Sequence, residues 1–205
     1  MTVSFELVGA STGNCLRAAI ALEEAGIEYK FRRVDLQAGE HRSNEHLQLN
    51  PAGKVPVLIE RNDVGLLVIS QSNAIMIHIA NRGSMGLLPK PGDPLLAVAL
   101  ERFFYFVTDV IAPSHAGHFL ESKQQPDAAG LLRQRSLDAI EFAERFLADA
   151  PFLAGENFTL ADICAVTIVA ANKPLLNWDR LPKLKRWFDA ARDRPAVLNG
   201  MRVFV

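Results

Sequence analysis

The sequence has few cysteines and no long apolar run. Its two cysteines, Cys15 and Cys164, form neither a disulfide framework nor a metal-binding spacing, so we expect a reducing, cytoplasmic location. The longest apolar run, residues 163–171, is less than half of the about 20 residues that a membrane-spanning helix needs. No basic segment precedes an apolar stretch near the first residue. We therefore expect neither a signal peptide nor a membrane partner.

The chain also lacks an excess of charge of either sign. Its 22 Lys and Arg residues against 23 Asp and Glu residues give a net charge of -1. Such a balance supplies no basic footprint for nucleic acid, so we expect no nucleic-acid partner. Hydrophobic residues make up 49% of the 205 residues, which indicates a globular protein with a sizeable core. Function must therefore be sought in local motifs.

The first 82 residues alternate between strand and helix patterns. Residues 2–7 show the period-2 alternation of a strand with one buried face, and Gly26 is placed to end the helix that follows. The order predicted is β-α-β-α-β-β-α, an α/β domain over residues 1–82. The strands and helices are expected at residues 2–9, 16–25, 29–34, 43–47, 57–60, 67–69 and 72–82.

The remainder of the chain has only helical patterns. Residues 83–93 are rich in glycine and proline without periodicity, so we predict a linker there. Residues 94–205 are predicted to form a second, all-helical domain. Its helices are expected at residues 94–120, 127–148, 159–171 and 181–192.

Residues 49–59 join a turn to an apolar strand. Pro56, within this stretch, restricts the backbone of Val55 and the place where the strand can start. Val55 must be extended because it precedes Pro56, and Pro56 must lie at the start of a strand because it lacks an N–H. The backbone of Val55 is therefore free to pair with an extended ligand. Ser72 is predicted to cap the next helix, whose N-terminus is suited to binding a carboxylate.

The motif at residues 50–56 and the pair Gln71-Ser72 resemble those of the glutathione S-transferase superfamily, in particular its theta-, nu- and beta-like bacterial members. The resemblance extends over the whole chain. It implies a thioredoxin-like N-terminal domain that binds glutathione, and a helical domain that forms the pocket for a hydrophobic electrophile. It also implies a homodimer, no metal, and a cis bond before Pro56 that turns the Val55 amide toward the ligand.

The turn at residues 11–15 is the place for a group that activates the thiol of glutathione. A free thiol is only ~3% ionised at pH 7, and a donor hydroxyl that lowers its pKa by about two units would leave mostly thiolate. The family's theta-like serine aligns with Thr12, and Ser11 is its neighbour. Cys15 is the rival: it is either a nucleophile that forms mixed disulfides, as in beta- and omega-like members, or a small buried residue.

The resemblance implies further contacts to glutathione. His41 and Lys54 match positions that touch the glycine carboxylate, and charge-assisted hydrogen bonds suit both. Gln71 replaces the commoner acidic residue, so the α-amino group of the ligand loses an ionic partner. The full set of expected glutathione contacts is Asn14, His41, Lys54, Val55, Gln71 and Ser72.

The helical half offers fewer candidates. Tyr105 and Phe106 lie on an aromatic helix and are expected to touch the second substrate, while Asp109 is a candidate for the missing carboxylate across a dimer interface. Thr159 and Asp162 predict a capping box with a structural role.

Three other functions remain open at this level. Glutathione-dependent disulfide or peroxide chemistry is one, with Cys15 or bound glutathione as the redox partner. A zeta-type isomerase is another, since Gln71 and Ser72 suit it. The third is a non-enzymatic interaction protein built on the same fold.

Overall fold

The computed structural model describes residues 3–83 and 86–205. These residues form two compact units, one that runs up to Leu87 and includes Arg194–Val205, and one that comprises Leu88–Asp193. The predicted linker at residues 83–93 includes residues 84 and 85, which lie outside the described residues, as does the predicted first residue of the first strand. No helix in the described ranges is long and apolar enough to cross a bilayer.

The first unit is built on a four-stranded mixed sheet with the strand order β2-β1-β3-β4. The outer strand β2 is parallel to β1, while β3 runs antiparallel to both β1 and β4. The predicted order β-α-β-α-β-β-α is confirmed. The strands are β1 Ser4–Gly9, β2 Tyr29–Arg33, β3 Val57–Asn62 and β4 Gly65–Ile69.

Three helices cover this sheet: α1 Gly13–Glu24, α2 Asn44–Leu49 and α3 Ser72–Arg82. The first begins three residues earlier than predicted, because the Thr12 side chain caps it. The start of α3 also differs from the prediction. Ser72 is already helical, and the residue in the capping position is Gln71, whose side chain makes no capping hydrogen bond. Ser72 is therefore not the cap that the sequence predicted.

The helical unit starts with one long helical stretch. Helix α4 (Pro94–Tyr105) continues through a π-helical segment, Phe106–Ile111, into α5 (Ala112–Ser122). Pro113 lacks an N–H and its ring needs space in the preceding turn, and the wider π turn is suited to supplying that space. The stretch then ends in α5 and is followed by α6 (Pro126–Phe142), α7 (Leu160–Asn172) and α8 (Pro182–Arg192).

The predicted capping box is confirmed at the start of α7. Asp162 is fully buried and accepts hydrogen bonds from the backbone N–H of Thr159 at 2.8 Å and of Leu153 at 3.0 Å. The indole N–H of Trp187 donates to the same carboxylate at 2.8 Å. Burial raises the pKa of Asp162, while these donors act in the opposite direction. The side chain thus ties α7 to α8 and to the preceding loop.

The last residues of the chain belong to the first unit. Helix α9 (Pro195–Gly200) packs on α1 so closely that a Cβ on Gly200 would lie 2.6 Å from Ile20. Phe204 is 1% exposed and packs edge-on against Phe31, with ring centroids 6.0 Å apart. The sequence predicted one helical domain over residues 94–205. It did not predict that Arg194–Val205 belong to the first unit.

Candidate functional site

The turn between β1 and α1 presents a hydroxyl at a helix N-terminus. Thr12 is extended and caps α1: its Oγ1 accepts the backbone N–H of Cys15 at 3.4 Å. The Thr12 hydroxyl also donates to Cys15 Sγ at 3.1 Å. Because the partial positive charge of the helix dipole is concentrated at this end of α1, an anion beside Thr12 is stabilised. The neighbouring Ser11 is exposed.

Cys15 lies behind Thr12 in a tight, closed space. Its side chain is fully buried, and its Sγ accepts the backbone N–H of Ala10 at 3.4 Å. A Cβ on Gly9 would lie 3.0 Å from this sulfur and 2.8 Å from Phe204, so no space is left beside it. Burial raises the pKa of the Cys15 thiol. Reactive cysteines are accessible and have a lowered pKa, so this geometry favours the packing interpretation.

Two buried side chains hold the loop before β3. Asn50 Nδ2 donates to the Lys54 carbonyl at 2.6 Å, and the imidazole Nε2–H of His46 donates to the same oxygen at 3.0 Å. Asn50 and His46 are 3% and 4% exposed. Sequence reasoning did not select either as a functional residue, although Asn50 lies in the motif itself. Their shared contact orients the peptide between Lys54 and Val55.

The bond between Val55 and Pro56 is cis, as predicted. The β1–β3 ladder starts with the pair Val8 and Val57, so Val55 lies before it. This agrees with the expectation that the Val55 backbone is not used by the sheet.

A cavity of about 730 Å³ in the first unit is lined both by the turn between β1 and α1 and by the loop before β3. It brings together five of the residues selected from the sequence. Among the residues that the structure describes, no acidic residue contributes to its lining, whereas His41, Lys54 and Arg42 can carry a positive charge. Sequence reasoning missed Arg42. The lining residues are Thr12, Asn14, Leu36, His41, Arg42, Leu47, Pro51, Ala52, Gly53, Lys54 and Val55.

His41 lies on the wall of this cavity and has one ring nitrogen without a hydrogen bond. Its Nδ1 is buried and has no hydrogen-bond partner within the described part of the chain. A buried polar atom without a partner costs about 1–3 kcal/mol. Because this nitrogen has almost no accessible surface, a ligand in the cavity could bond to it only after the imidazole ring turned. Gly53, on the same wall, has a φ of 58°, and a Cβ there would lie 3.2 Å from the His41 carbonyl. The close approach of these two segments therefore requires glycine.

A second cavity, of about 570 Å³, lies on the other side of Thr12. Ser11 contributes to its lining, as do Arg33, Asp35 and Glu40. The backbone N–H groups of Ala38 and Gln37 lower the pKa of Asp35, whose carboxylate they hold in the loop. Thr12 thus contributes to the lining of both cavities.

The structure does not bring Gln71 and Ser72 into the lining of the larger cavity. Gln71 is exposed, and Ser72 is 6% exposed at the start of α3. Their contact with glutathione stays a prediction.

The side chains of Tyr105 and Phe106 both make contacts within the helical unit. Phe106 is fully buried, and the Tyr105 hydroxyl donates to the Ala139 carbonyl at 2.9 Å. Burial and the nearby Asp109 raise the pKa of Tyr105 to about 12. A contact of these rings with a second substrate, and of Asp109 with a ligand, stays a prediction. Among residues 3–83 and 86–205, no group of three or more His, Cys, Asp and Glu is arranged to hold a metal ion.

Comparison with known proteins identifies the family. Residues 4–81 match the model of the glutathione S-transferase N-terminal domain, and residues 98–195 match that of the glutathione S-transferase C-terminal domain. Together these matches cover most of the chain. The chain belongs to the glutathione S-transferase family.

Individual relatives agree with this assignment. Glutathione S-transferase 3 of Zea mays is 30% identical over 199 residues, which cover 89% of this chain and 86% of that protein. The disulfide-bond oxidoreductase YfcG of Escherichia coli (strain K12) is 27% identical over 201 residues, 94% of this chain and 92% of that protein. A glutathione transferase homolog from Lodderomyces elongisporus, solved with two GSH per subunit, has a TM-score of 0.87, 25% identity and 98% coverage of both chains.

Proposed function

We propose that the chain binds glutathione in the larger cavity and activates its thiol for transfer to a hydrophobic electrophile. The observation that carries the proposal is that Thr12 and the loop at Lys54 and Val55 line one cavity. A thiol-activating donor and a carboxylate-binding cation are therefore within reach of the same tripeptide.

The cations account for binding. Lys54 and Arg42 offer charged donors to a carboxylate, and the imidazole of His41 lines the same cavity as a further donor. The backbone of Val55, which precedes the strand ladder, pairs with the central amide of the tripeptide. Gln71 and Ser72 at the start of α3 bind the γ-glutamyl end. Asn14 completes the set of contacts near the thiol.

Thr12 accounts for activation. Its O–H donates to the glutathione sulfur, and the start of α1 adds the field of the helix dipole. The thiol proton leaves to solvent, and the thiolate attacks the electrophilic carbon. The new C–S bond of the thioether forms as the bond from that carbon to its leaving group breaks, and the leaving group departs as an anion with the bonding electrons. Stabilisation of the thiolate by about 2.7 kcal/mol would lower the pKa of the thiol by about two units and leave it mostly ionised at neutral pH. Ser11 is the alternative donor, from its exposed position next to Thr12.

The second candidate is glutathione-dependent disulfide reduction. It is favoured by the similarity to YfcG, a disulfide-bond oxidoreductase, and to the homolog solved with two GSH per subunit. The glutathione thiolate would attack one sulfur of a disulfide, form a new S–S bond and expel the other sulfur as a thiolate. Because Cys15 is fully buried, bound glutathione serves as the nucleophile in this reaction. A zeta-type isomerase and a non-enzymatic binding protein are further alternatives that the same cavity accommodates.

The experiment is calorimetric titration of the protein with glutathione, followed by a screen of electrophiles, disulfides and peroxides on the same sample. We expect glutathione to bind and an aromatic electrophile to be conjugated. Turnover of disulfides alone would select the second candidate. Binding without any turnover would select the non-enzymatic alternative, and no binding would refute the proposal.

We also propose that the protein is a cytoplasmic homodimer. Leu66 and Leu67 on the edge strand β4 are 61% and 41% exposed, as expected of a surface that a second copy covers. Neither Cys15 nor Cys164 forms a disulfide, which suits a reducing compartment. Light scattering coupled to size-exclusion chromatography tests the dimer, and a monomer mass would refute it.

A further inference from the structure

We propose that Cys15 is a positioning residue for Thr12: its buried thiol donates a hydrogen bond to Thr12 Oγ1 while Thr12 donates its own O–H to the sulfur of the bound ligand. The inference rests on the proposed function, because it assumes a thiolate next to Thr12. In this role Cys15 does not attack a substrate, and its sulfur does more than fill space, because it donates a hydrogen bond to Thr12.

The first step of the argument is access. Cys15 is fully buried, does not line either cavity beside Thr12, and is enclosed by Gly9 and Phe204. A ligand therefore cannot reach this sulfur. Thr12 does line both cavities, so it is the group through which Cys15 acts on a ligand.

The second step is the hydrogen-bonding capacity of the Thr12 hydroxyl, which has one donor and two acceptor positions. The backbone N–H of Cys15 occupies one acceptor position at 3.4 Å. The Cys15 sulfur lies at 3.1 Å, where it accepts the O–H when no ligand competes for it. When a thiolate draws the O–H outward, the second acceptor position on Oγ1 becomes free. The S–H of Cys15 is then in place to fill it.

The third step is the proton on Cys15, which must stay in place for the thiol to donate. Burial raises the pKa of this thiol and outweighs the opposing effects of the Thr12 hydroxyl, the Ala10 N–H and the positive charge of Arg17. Arg17, a helical residue of α1, is itself 2% exposed. The Ala10 N–H is donated to the sulfur, so it does not compete for the S–H proton.

The consequence is a chain of hydrogen bonds from S–H to O–H to the ligand's sulfur. An acceptor that receives a hydrogen bond becomes a better donor through its own proton, so such chains are cooperative. Cys15 should thereby strengthen the donor that holds the thiolate. No bond forms or breaks in this arrangement, and each proton stays on its own heavy atom.

The test measures the pKa of protein-bound glutathione from the ultraviolet absorbance of its thiolate as a function of pH, at saturating glutathione. We expect Cys15→Ala to raise this pKa by about half a unit, so that the thiolate fraction below the pKa falls about threefold. Cys15→Ser retains a donor at the same place and should keep the pKa at or below that of the unmodified chain. Cys164→Ala is the matched control, since Cys164 is equally buried but lies in α7 of the helical unit.

The outcomes separate this inference from the proposed function. An unchanged or lowered pKa in Cys15→Ala overturns the inference, as does a Cys15→Ser protein that behaves like Cys15→Ala. If Cys15→Ala does not fold, Cys15→Ser decides alone, because a raised pKa with a serine donor in place contradicts the relay. Failure of the unmodified chain to bind glutathione, seen by calorimetry, overturns the proposed function and this inference together.

Discussion

Arg194 holds the carboxylate of Glu24 with two parallel hydrogen bonds, from Nε at 2.6 Å and from Nη2 at 2.7 Å. This ion pair joins the beginning of the C-terminal segment to the end of α1. The Glu24 side chain is 7% exposed and that of Arg194 is 34% exposed. The bidentate geometry makes the pair specific to arginine, because lysine offers a point charge instead of a planar fork.

Arg194→Ala should lower the free energy of unfolding by about 2 kcal/mol, since it leaves a mostly buried carboxylate without its partner. Arg194→Lys should recover part of this loss. Urea unfolding followed by circular dichroism measures both. Lys185→Ala is the control, because its pair with Asp189 is exposed and should cost at most about 0.5 kcal/mol. Equal unfolding curves for Arg194→Ala and the unmodified chain would show that the ion pair does not hold the segment.

Thr12→Val should raise the pKa of bound glutathione, because valine keeps the shape of threonine and removes the donor. Conjugation should then fall at neutral pH and partly recover as the pH rises, since the thiol ionises without help at higher pH. The measurement is the rate of conjugation between pH 6 and pH 9 with saturating glutathione, values that span the ordinary thiol pKa of about 8.5.

Ser11 complicates this test because it lies next to Thr12 and has a hydroxyl of its own. The double variant Thr12→Val, Ser11→Ala removes both donors. Full conjugation by the double variant, with glutathione binding intact, would refute activation by a hydroxyl. Ser11→Ala alone serves as the control for the loss of the exposed hydroxyl.

Ser72→Ala should weaken glutathione binding by about 1–3 kcal/mol, the value of a hydrogen bond to a charged carboxylate. Calorimetric titration gives the affinity, and circular dichroism verifies that α3 remains folded. Ser122→Ala is a suitable control, since this serine is exposed in the helical unit and its hydroxyl donates to the Phe119 carbonyl. An unchanged affinity in Ser72→Ala would place the carboxylate of the ligand elsewhere.

Asp162→Asn should destabilise the protein by about 3 kcal/mol or more, because an amide in place of the carboxylate leaves buried donors without an acceptor. The amide keeps one oxygen, so the donors on the other side lose their acceptor: either the Leu153 N–H and the Trp187 indole N–H, or the backbone N–H and hydroxyl of Thr159. Denaturant unfolding measures the loss, and Asp179→Asn on the exposed surface should stay within about 0.5 kcal/mol. A midpoint for Asp162→Asn close to that of the control would contradict the role assigned to this carboxylate.

The sequence by itself determined those features that neighbouring residues decide. Val55 lies outside the helices, as expected of a residue before proline, and Asp162 closes a capping box with Thr159 three residues away. The alternation of strands and helices followed from periodicity in the same way. One such local prediction was wrong: Ser72 falls inside α3, because a polar residue at a helix start does not by itself distinguish the capping position from the first helical residue.

Only the tertiary structure decided the environment of the site. Phe204 encloses Cys15, and Arg194 binds Glu24 from 170 residues away along the chain. Likewise, the hydrogen bond from His46 to the Lys54 carbonyl depends on how α2 packs against the loop. The physical reason is that periodicity, caps and turns act over a few residues, whereas the burial of a thiol depends on which distant segment covers it. Whether a ligand can reach the Cys15 sulfur is therefore a question that its neighbours in sequence leave open, and the residues that enclose it in space answer it.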